Sequence, residues 1–259
     1  MAGSQLAKQP VSIDDAHYTV PLYRKAEAAR IIRVPASTLR NWAGGPATSA
    51  RHKKDSDTST FSGGRKVRVD AAHSEWPPPL ITTAEPATPR GPSVPFVGLA
   101  EAFILGAFRS AGVPMQRIRP AINWLQDNIG LSQALASERL KTDGAEVLWD
   151  YAAQNDDEDL VEGLVVVRNG QQVFRPVVKD YLRCVTYESG WARMINVGRG
   201  KVDVTVDPWM NGGQPTLARR GIAVSDILNR VRAGESSKAV AIDYGLRPAE
   251  ITALLELAA

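Results

Sequence analysis

The stretch YRKAEAARIIRVPASTLRNW, residues 23–42, decides how the N-terminal part of this chain folds. In its first half, apolar residues recur at every third position, and this spacing predicts one face of a short helix formed by Ala26, Ala29 and Ile32. Val34-Pro35 ends that pattern, because proline has no amide hydrogen to give to a continuing helix. Helical spacing resumes from Ala36 to Trp42. Two short helices joined by a tight turn predict a helix-turn-helix.

The second predicted helix carries polar and basic residues on its outer face, while Leu39 and Trp42 face inward. An α-helix fits the major groove of duplex DNA, where Arg and Asn pair with base edges and Ser or Thr binds phosphate. Two packed helices with a basic face also occur in proteins that never touch DNA, so the motif alone leaves both interpretations open. The DNA interpretation assigns the contacts to Ser37, Thr38, Arg40 and Asn41.

Positive charge is concentrated around the same stretch. Residues 1–70 hold twelve Lys or Arg and six Asp or Glu, a net charge of +6. The remaining residues hold 19 and 22 of these, a net charge of −3, so the overall +3 hides an asymmetry. A basic segment at a helix-turn-helix is expected where phosphates are neutralised, and it favours the DNA interpretation.

A wing is predicted after the helix-turn-helix. A segment rich in Gly, Ser, Thr and charge leads to a predicted strand at Lys66–Val69, and a second strand is predicted at Leu80–Thr82. In such a hairpin, phosphate contacts are predicted for Arg65, Lys66 and Arg68. The alternative is a solvated, disordered basic loop.

Composition argues against several other classes of protein. One cysteine makes a disulfide framework impossible, and His52 and His73 stand without Cys or His at ligand spacing, so we expect no metal and no cofactor. No apolar stretch approaches the roughly 18 residues of a membrane span, and the N-terminus lacks the apolar core of a signal peptide. We therefore expect a cytoplasmic protein that does not enter membranes.

The fold class predicted is α+β and mostly helical. We predict a disordered tail at 1–17, a winged helix-turn-helix at 18–90, a helical middle with short hairpins at 91–195, and a three-helix domain at 196–259. Two amphipathic helices open the middle region, one from Phe96 to Ser110 and one from Pro114 to Ile129. Their apolar faces exceed what a two-helix unit easily buries, which predicts a homodimer through Phe96, Phe103, Leu125 and Ile129.

Turn signals predict two hairpins further along the middle region. One has strands at Arg139–Thr142 and Glu146–Asp150 around Asp143-Gly144, and the other has strands at Leu164–Val167 and Gln171–Phe174. The acidic run at 154–160 is predicted to be a solvated loop. Residues 176–197 show no clear pattern.

The last third predicts a strand at Val202–Val206 and then three helices. Ser236 is a candidate cap for the second helix, Gly245 ends it, and Pro248 begins the third. The last two helices also resemble a helix-turn-helix, but residues 224–259 hold four Lys or Arg against five Asp or Glu. A slightly acidic unit is a poor DNA ligand, so we assign it to protein contact.

Several blocks of the sequence resemble mycobacterial VapB-type antitoxins with a MerR-like N-terminus. The blocks are residues 23–42, PLIT at 79–82, SVPFVGLAEAFILGAFRSAGVPMQRIR at 93–119 and LKTDG at 140–144. At the C-terminus, DPWMNGGQPTLARRGIAVSDIL, residues 207–228, and the helices after it resemble the small helical domain of VapB-like proteins. The resemblance covers most of residues 18–259.

The resemblance implies the antitoxin of a type II toxin–antitoxin system, not an enzyme. Such a protein inhibits a PIN-like ribonuclease toxin and represses its own operon through the N-terminal helix-turn-helix. A nuclease site of this kind gathers carboxylates around a metal, and an antitoxin can block it by supplying a cation in the metal's place. The candidates for that role are Arg219 and Arg220, whose alternative interpretation is a solvated pair on a loop.

Two other functions remain open from the sequence. One is a stand-alone MerR-like transcriptional regulator whose C-terminal domain serves dimerisation or ligand sensing. The other is a metal-dependent enzyme, whose cluster would consist of Asp203, Asp207 and Asp226.

Overall fold

The computed structural model describes residues 16–44, 78–168, 171–198 and 202–258. Within these ranges the protein is a mostly helical α+β fold, as the sequence predicts. The helices in chain order are α1 (Ala16–Thr19), α2 (Lys25–Ile32), α3 (Ala36–Trp42), α4 (Phe96–Ser110), α5 (Met115–Ile129), α6 (Glu138–Gln154), α7 (Glu158–Leu164), α8 (Pro176–Arg183), α9 (Val224–Arg232), α10 (Ser237–Asp243) and α11 (Pro248–Ala258).

In the part of the chain that the structure describes, short antiparallel strands form three sheets. The strands are β1 (Pro21–Tyr23), β2 (Val94–Pro95), β3 (Val165–Arg168), β4 (Gln171–Phe174), β5 (Val185–Glu188), β6 (Trp191–Asn196), β7 (Val204–Val206), β8 (Thr216–Leu217) and β9 (Ile222–Ala223). β1 pairs with β2, β3 pairs with β4, and β5 to β9 form a five-stranded sheet in sequence order.

The sheets cross both of the internal domain boundaries that the sequence suggested. β1 and β2 lie on opposite sides of residue 90, and β6 ends at Asn196 while it pairs with β7. The helix-turn-helix is therefore continuous with the start of the middle region. Likewise, the last helices follow a sheet that begins before residue 196.

Helix α4 is the centre of the core. Every residue from Phe96 to Phe108 is buried, so this helix is buried on all sides and not along one stripe only. It contacts α1, α2 and α8 directly. The sequence predicted a dimer interface through Phe96, Phe103, Leu125 and Ile129, and this choice of residues is wrong. All four side chains are at most 2% exposed within a single chain, so they are not available to a partner.

The predicted hairpin around Asp143-Gly144 is wrong, since α6 runs through it as one helix. Leu140, Gly144, Leu148 and Ala152 are buried at four-residue spacing, which is the helical period. Gly144 serves close packing rather than a turn, because a Cβ atom there would lie 2.8 Å from Leu140 Cδ1 and 3.3 Å from Phe174 Cζ.

The acidic run at 154–160 is mostly exposed, as predicted, but it belongs to two helices and their junction and is not a loop. It ends α6 and begins α7, where the Asp157 carboxylate accepts a hydrogen bond from the Leu160 amide at 3.2 Å. Arg117 of α5 forms ion pairs with Asp157 and with Asp159, the latter at 2.6 Å. The run therefore caps one helix and joins it to another.

Other predictions for the middle and C-terminal regions are confirmed. The second hairpin is β3 and β4, with Val165 opposite Phe174. Helices α4 and α5 lie where they were predicted, and α5 continues through Pro120. Ser236 caps α10, because its hydroxyl accepts a hydrogen bond from the Ala239 amide at 3.1 Å. The unassigned stretch 176–197 contains α8, β5 and β6.

The N-terminal helices are docked on the C-terminal part of the chain. The buried Tyr23 hydroxyl donates to the Gly213 carbonyl at 2.7 Å, and the Gln214 side-chain amide donates to Glu27 of α2 at 3.1 Å. The His17 ring stacks on Trp209 with centroids 4.6 Å apart. These contacts hold α1, β1 and α2 against the loop between β7 and β8.

Candidate DNA-binding surface and C-terminal arginine cleft

The helix-turn-helix predicted from residues 23–42 is present as α2 and α3. The chain changes direction between the two helices at Arg33, which adopts left-handed backbone angles (φ 58°, ψ 48°) and ends α2. Val34 follows, and its amide bonds the Ala29 carbonyl at 2.9 Å. On α2, Ala28 is buried beside Ala29 and Ile32, whereas Ala26 is exposed, so one of the three residues predicted to face inward does not.

The outer face of α3 carries most of the predicted DNA contacts. Leu39 is 0% exposed and Trp42 is 2% exposed, and these two anchors turn Ser37, Arg40 and Asn41 towards solvent. A Ser, an Arg and an Asn on one exposed helical face match the side chains that contact phosphates and base edges.

Thr38 differs from the other three because it is partly buried and already has a partner. Arg109, in the last turn of α4, donates from Nη1 to Thr38 Oγ1 at 2.8 Å. A guanidinium group from a distant part of the sequence therefore lies beside α3. Sequence reasoning missed Arg109, since nothing local in α4 shows which surface its C-terminal end reaches.

Lys25 adds a further positive charge near the same face. Burial lowers the pKa of Lys25, and the nearby Arg40 guanidinium lowers it further. Two cations within electrostatic range of each other raise the local positive potential, which favours an anionic partner such as a phosphate backbone. Lys25 also lies in the N-terminal turn of α2, where sequence reasoning assigned it no role.

The described residues include only the second strand of the predicted wing. Arg65, Lys66 and Arg68 lie outside the described residues. Leu80–Thr82, the second predicted strand, is not a strand: its Leu80 amide bonds the Trp42 carbonyl at 2.7 Å. The chain therefore leaves the end of α3 at Gly44 and returns beside it, and a Cβ at Gly44 would lie 3.4 Å from Pro79.

A second candidate site lies at the other end of the chain. The turn between β8 and β9 carries Arg219 and Arg220, and the turn between α10 and α11 carries Arg247. These three arginines line an open cleft of about 650 Å³ together with Asp203, Leu217, Gly245, Leu246 and Glu250.

Glu250 organises this arginine cleft. Its carboxylate accepts from Arg219 Nη2 at 3.2 Å through one oxygen, and from the Arg247 amide and Nε at 2.9 and 3.3 Å through the other. The hydrogen bond from the Arg247 amide is the main reason why the pKa of Glu250 is lowered. The same bond explains how Arg247 occupies the start of α11, since Glu250 supplies the cap from within the helix.

Arg220 is held differently from the other two arginines. Its Nη2 donates to the Gly245 carbonyl at 2.8 Å, which is a neutral acceptor. A Cβ at Gly245 would lie 2.7 Å from that same nitrogen, so the guanidinium packs directly on the glycine. The two predicted toxin contacts, Arg219 and Arg220, therefore lie on one hairpin turn but have different partners.

The other candidate chemistry finds no support in the described part of the chain. Among the described residues, no three His, Cys, Asp or Glu side chains gather in a way that could hold a metal ion. Asp203, Asp207 and Asp226 therefore do not form the cluster considered from the sequence, and Asp207 caps a turn by accepting from the Trp209 amide at 2.8 Å. His52 and His73 lie outside the described residues. None of the described helices is long and apolar enough to cross a membrane.

Comparison with known proteins connects both candidate sites to families. Residues 21–122 match the family described as "Putative DNA-binding HTH domain", and residues 204–258 match "Protein of unknown function (DUF433)". The first match includes β2 and α4, in agreement with the continuous N-terminal unit seen in the structure. The second match includes the whole arginine cleft apart from Asp203.

A relative and a solved structure cover nearly the whole chain. The chain is 40% identical over 248 residues to a Mycobacterium tuberculosis (strain H37Rv) protein named "Putative antitoxin VapB45", covering 93% of this chain and 95% of the relative. A crystal structure of Rv2018 from M. tuberculosis matches with a TM-score of 0.72 at 39% identity, over 92% of this chain and 98% of that one. The chain therefore belongs to the family of the M. tuberculosis protein VapB45, and it combines an N-terminal helix-turn-helix DNA-binding domain with a C-terminal DUF433 domain.

Proposed function

We propose that this protein is an antitoxin of a type II toxin–antitoxin system that binds its own operator DNA and neutralises a PIN-like ribonuclease toxin. The observation that carries the DNA part is the exposed face of α3. Ser37, Arg40 and Asn41 point to solvent there, while Leu39 and Trp42 anchor the helix in the core. The name of the relative supports the antitoxin part.

In this proposal the DNA surface is larger than the residues predicted from the sequence. Ser37, Arg40 and Asn41 contact DNA from α3, and Lys25 and Arg109 flank them. Arg65, Lys66 and Arg68 remain proposed phosphate contacts in a wing, since the chain leaves and returns beside α3. Thr38 accepts the hydrogen bond from Arg109, and its own O–H is still able to donate to a phosphate oxygen.

The toxin-facing surface is proposed to be the C-terminal part, with Arg219 and Arg220 as contacts. Both lie on an exposed turn and line the arginine cleft. A homodimer remains a proposal as well, because DNA readers of this kind often bind as twofold pairs. Its interface would have to use surfaces other than the buried faces of α4 and α5.

The test of the DNA part is a titration of the full chain with duplex DNA from its own upstream region. Arg40→Ala should weaken binding by about 1–3 kcal/mol, since an arginine paired with a base edge contributes that much. Arg183→Ala is the control, because Arg183 is 76% exposed and lies on α8. Affinity should also fall steeply with salt.

Two results would contradict this part of the proposal. One is the absence of binding to the upstream duplex at low salt. The other is an equal loss of affinity in Arg40→Ala and in the control. The toxin part is tested by the neighbouring reading frame: a small nuclease-like product that binds this chain supports the antitoxin, and its absence favours a stand-alone MerR-like regulator.

A further inference from the structure

The arginine cleft is concave, and this shape determines what can enter it. Its walls come from two separate turns, with Arg219 and Arg220 on one side and Arg247 on the other. The two turns are tied together, because Glu250 binds Arg219 and Arg247 while Arg220 binds the Gly245 carbonyl. Guanidinium groups held in this way line a recess.

The charge of the cleft is positive. Three arginines and two carboxylate side chains line it, which leaves one positive charge in excess. Glu250 is only 6% exposed and is occupied by its two arginine partners. The Arg219 and Arg247 side chains are still 73% and 78% exposed, so most of their N–H groups face solvent.

Such an arrangement of guanidinium groups can bind a further carboxylate. A guanidinium group has five N–H donors in a planar fork, and one bond to Glu250 leaves donors for a second acceptor. Because a buried carboxylate already orients Arg219 and Arg247, little side-chain freedom is lost when a further anion binds. One entering carboxylate would neutralise the excess charge.

We propose that the arginine cleft receives an acidic side chain that projects from the toxin. This inference rests on the proposed function, and it reverses the direction of insertion expected from the sequence. Arg219 and Arg220 do not replace a metal ion inside the nuclease site. A carboxylate of the toxin, located outside its metal site, enters the antitoxin instead.

The experiment uses the full chain and the protein encoded by the adjacent reading frame, with their dissociation constant measured by calorimetry. Arg219→Ala and Arg247→Ala should each weaken binding by about 30-fold or more, as expected when one partner of a desolvated charge pair is removed. Arg183→Ala is a matched control, since Arg183 is 76% exposed and pairs with Asp180 three residues away, as Arg247 pairs with Glu250. The control should bind like the wild type.

Magnesium distinguishes the two directions of insertion. If arginines entered the metal site, excess Mg²⁺ would compete with the antitoxin and raise the dissociation constant. If an acidic side chain enters the cleft, the dissociation constant should be the same in Mg²⁺ and in EDTA at equal ionic strength. A dissociation constant that rises with Mg²⁺ overturns the proposal.

Charge reversal provides a further test that does not depend on truncation. Arg247→Glu should abolish binding, and one Asp or Glu→Lys substitution on the toxin, outside its metal site, should restore it. A circular-dichroism melt of each variant confirms that it is folded. If all such toxin variants fail to restore binding, the acidic occupant is refuted.

The remaining outcomes separate this inference from the proposed function. If the wild-type chain does not bind the adjacent protein, both the toxin partner and the occupant of the cleft are wrong. If it binds and the two alanine variants bind equally well, only the cleft assignment is wrong. If those variants instead lose DNA affinity and keep the toxin, the cleft is a nucleic-acid contact and the proposal fails.

Discussion

Replacing Glu101 by Gln should change how the stability of this protein depends on pH. Glu101 lies in the middle of α4 and is 2% exposed. Its carboxylate accepts a hydrogen bond from the Thr82 amide at 2.5 Å. This bond anchors residues 80–82, which lie beside the end of α3, where the Leu80 amide donates to the Trp42 carbonyl.

The magnitude follows from the pKa of this carboxyl. Burial raises the pKa of Glu101 from 4.5 to about 7, and the hydrogen bonds from Thr82 act in the opposite direction. Between these two values the folded protein keeps a proton that the unfolded chain has lost. Stability therefore falls as pH rises through this window, by about 3 kcal/mol in total, at 1.36 kcal/mol per pH unit.

The assay is urea unfolding of the wild type and Glu101→Gln at several pH values from 4.5 to 8. Glutamine stays neutral and can still accept the bond from Thr82, so its stability lacks this contribution. The free energy of unfolding of the variant minus that of the wild type should rise by about 3 kcal/mol from pH 4.5 to pH 8. Parallel pH profiles for the two proteins would refute the reasoning.

Three further predictions concern packing and capping. In urea unfolding, Gly98→Ala should destabilise the protein, because its Cβ would lie 2.1 Å from the Thr82 carbonyl oxygen. Gly106→Ala on the same helix is the control and should be neutral or stabilising, because its nearest neighbours lie at 3.7 Å or more. Tyr23→Phe should lower the free energy of unfolding by about 1–3 kcal/mol, because it leaves the buried Gly213 carbonyl without its donor. If this contact holds the helix-turn-helix against the C-terminal part of the chain, amide hydrogen exchange in β1 should become faster in the variant. Ser236→Ala should cost about 1 kcal/mol by thermal unfolding, through loss of the cap of α10, and an unchanged melting temperature would contradict that role.

Local patterns were sufficient for several elements. The spacing of Leu39 and Trp42 and the break at Val34-Pro35 located α2 and α3, because helical period and proline chemistry act within a few residues. Ser236 before α10 and Pro248 at the start of α11 are also local signals. The hairpin of β3 and β4 was predicted from the Asn169-Gly170 turn signal between two apolar segments.

Local patterns failed where a residue type has more than one use. Asp143-Gly144 is typical of a hairpin turn, yet Gly144 lies inside α6, where it packs closely against Leu140 and Phe174. The acidic run at 154–160 was predicted to be a loop, but it lies at the junction of α6 and α7. Arg117, which is far away in the sequence, pairs there with two of its four carboxylates. The buried neighbours of α4 likewise come from distant segments, so its apolar surface was mistaken for a dimer interface.

By itself, the sequence determined the helix-turn-helix, the basic N-terminal part and the polar face formed by Ser37, Arg40 and Asn41, since all depend on residues close together in the chain. Only the tertiary structure decided that Arg109 lies beside Thr38, and that Arg247 and Glu250 join Arg219 in one cleft. Those contacts span 71 and 31 residues of sequence. Periodicity has no information over such distances, because only the packing of whole helices and sheets brings the groups together.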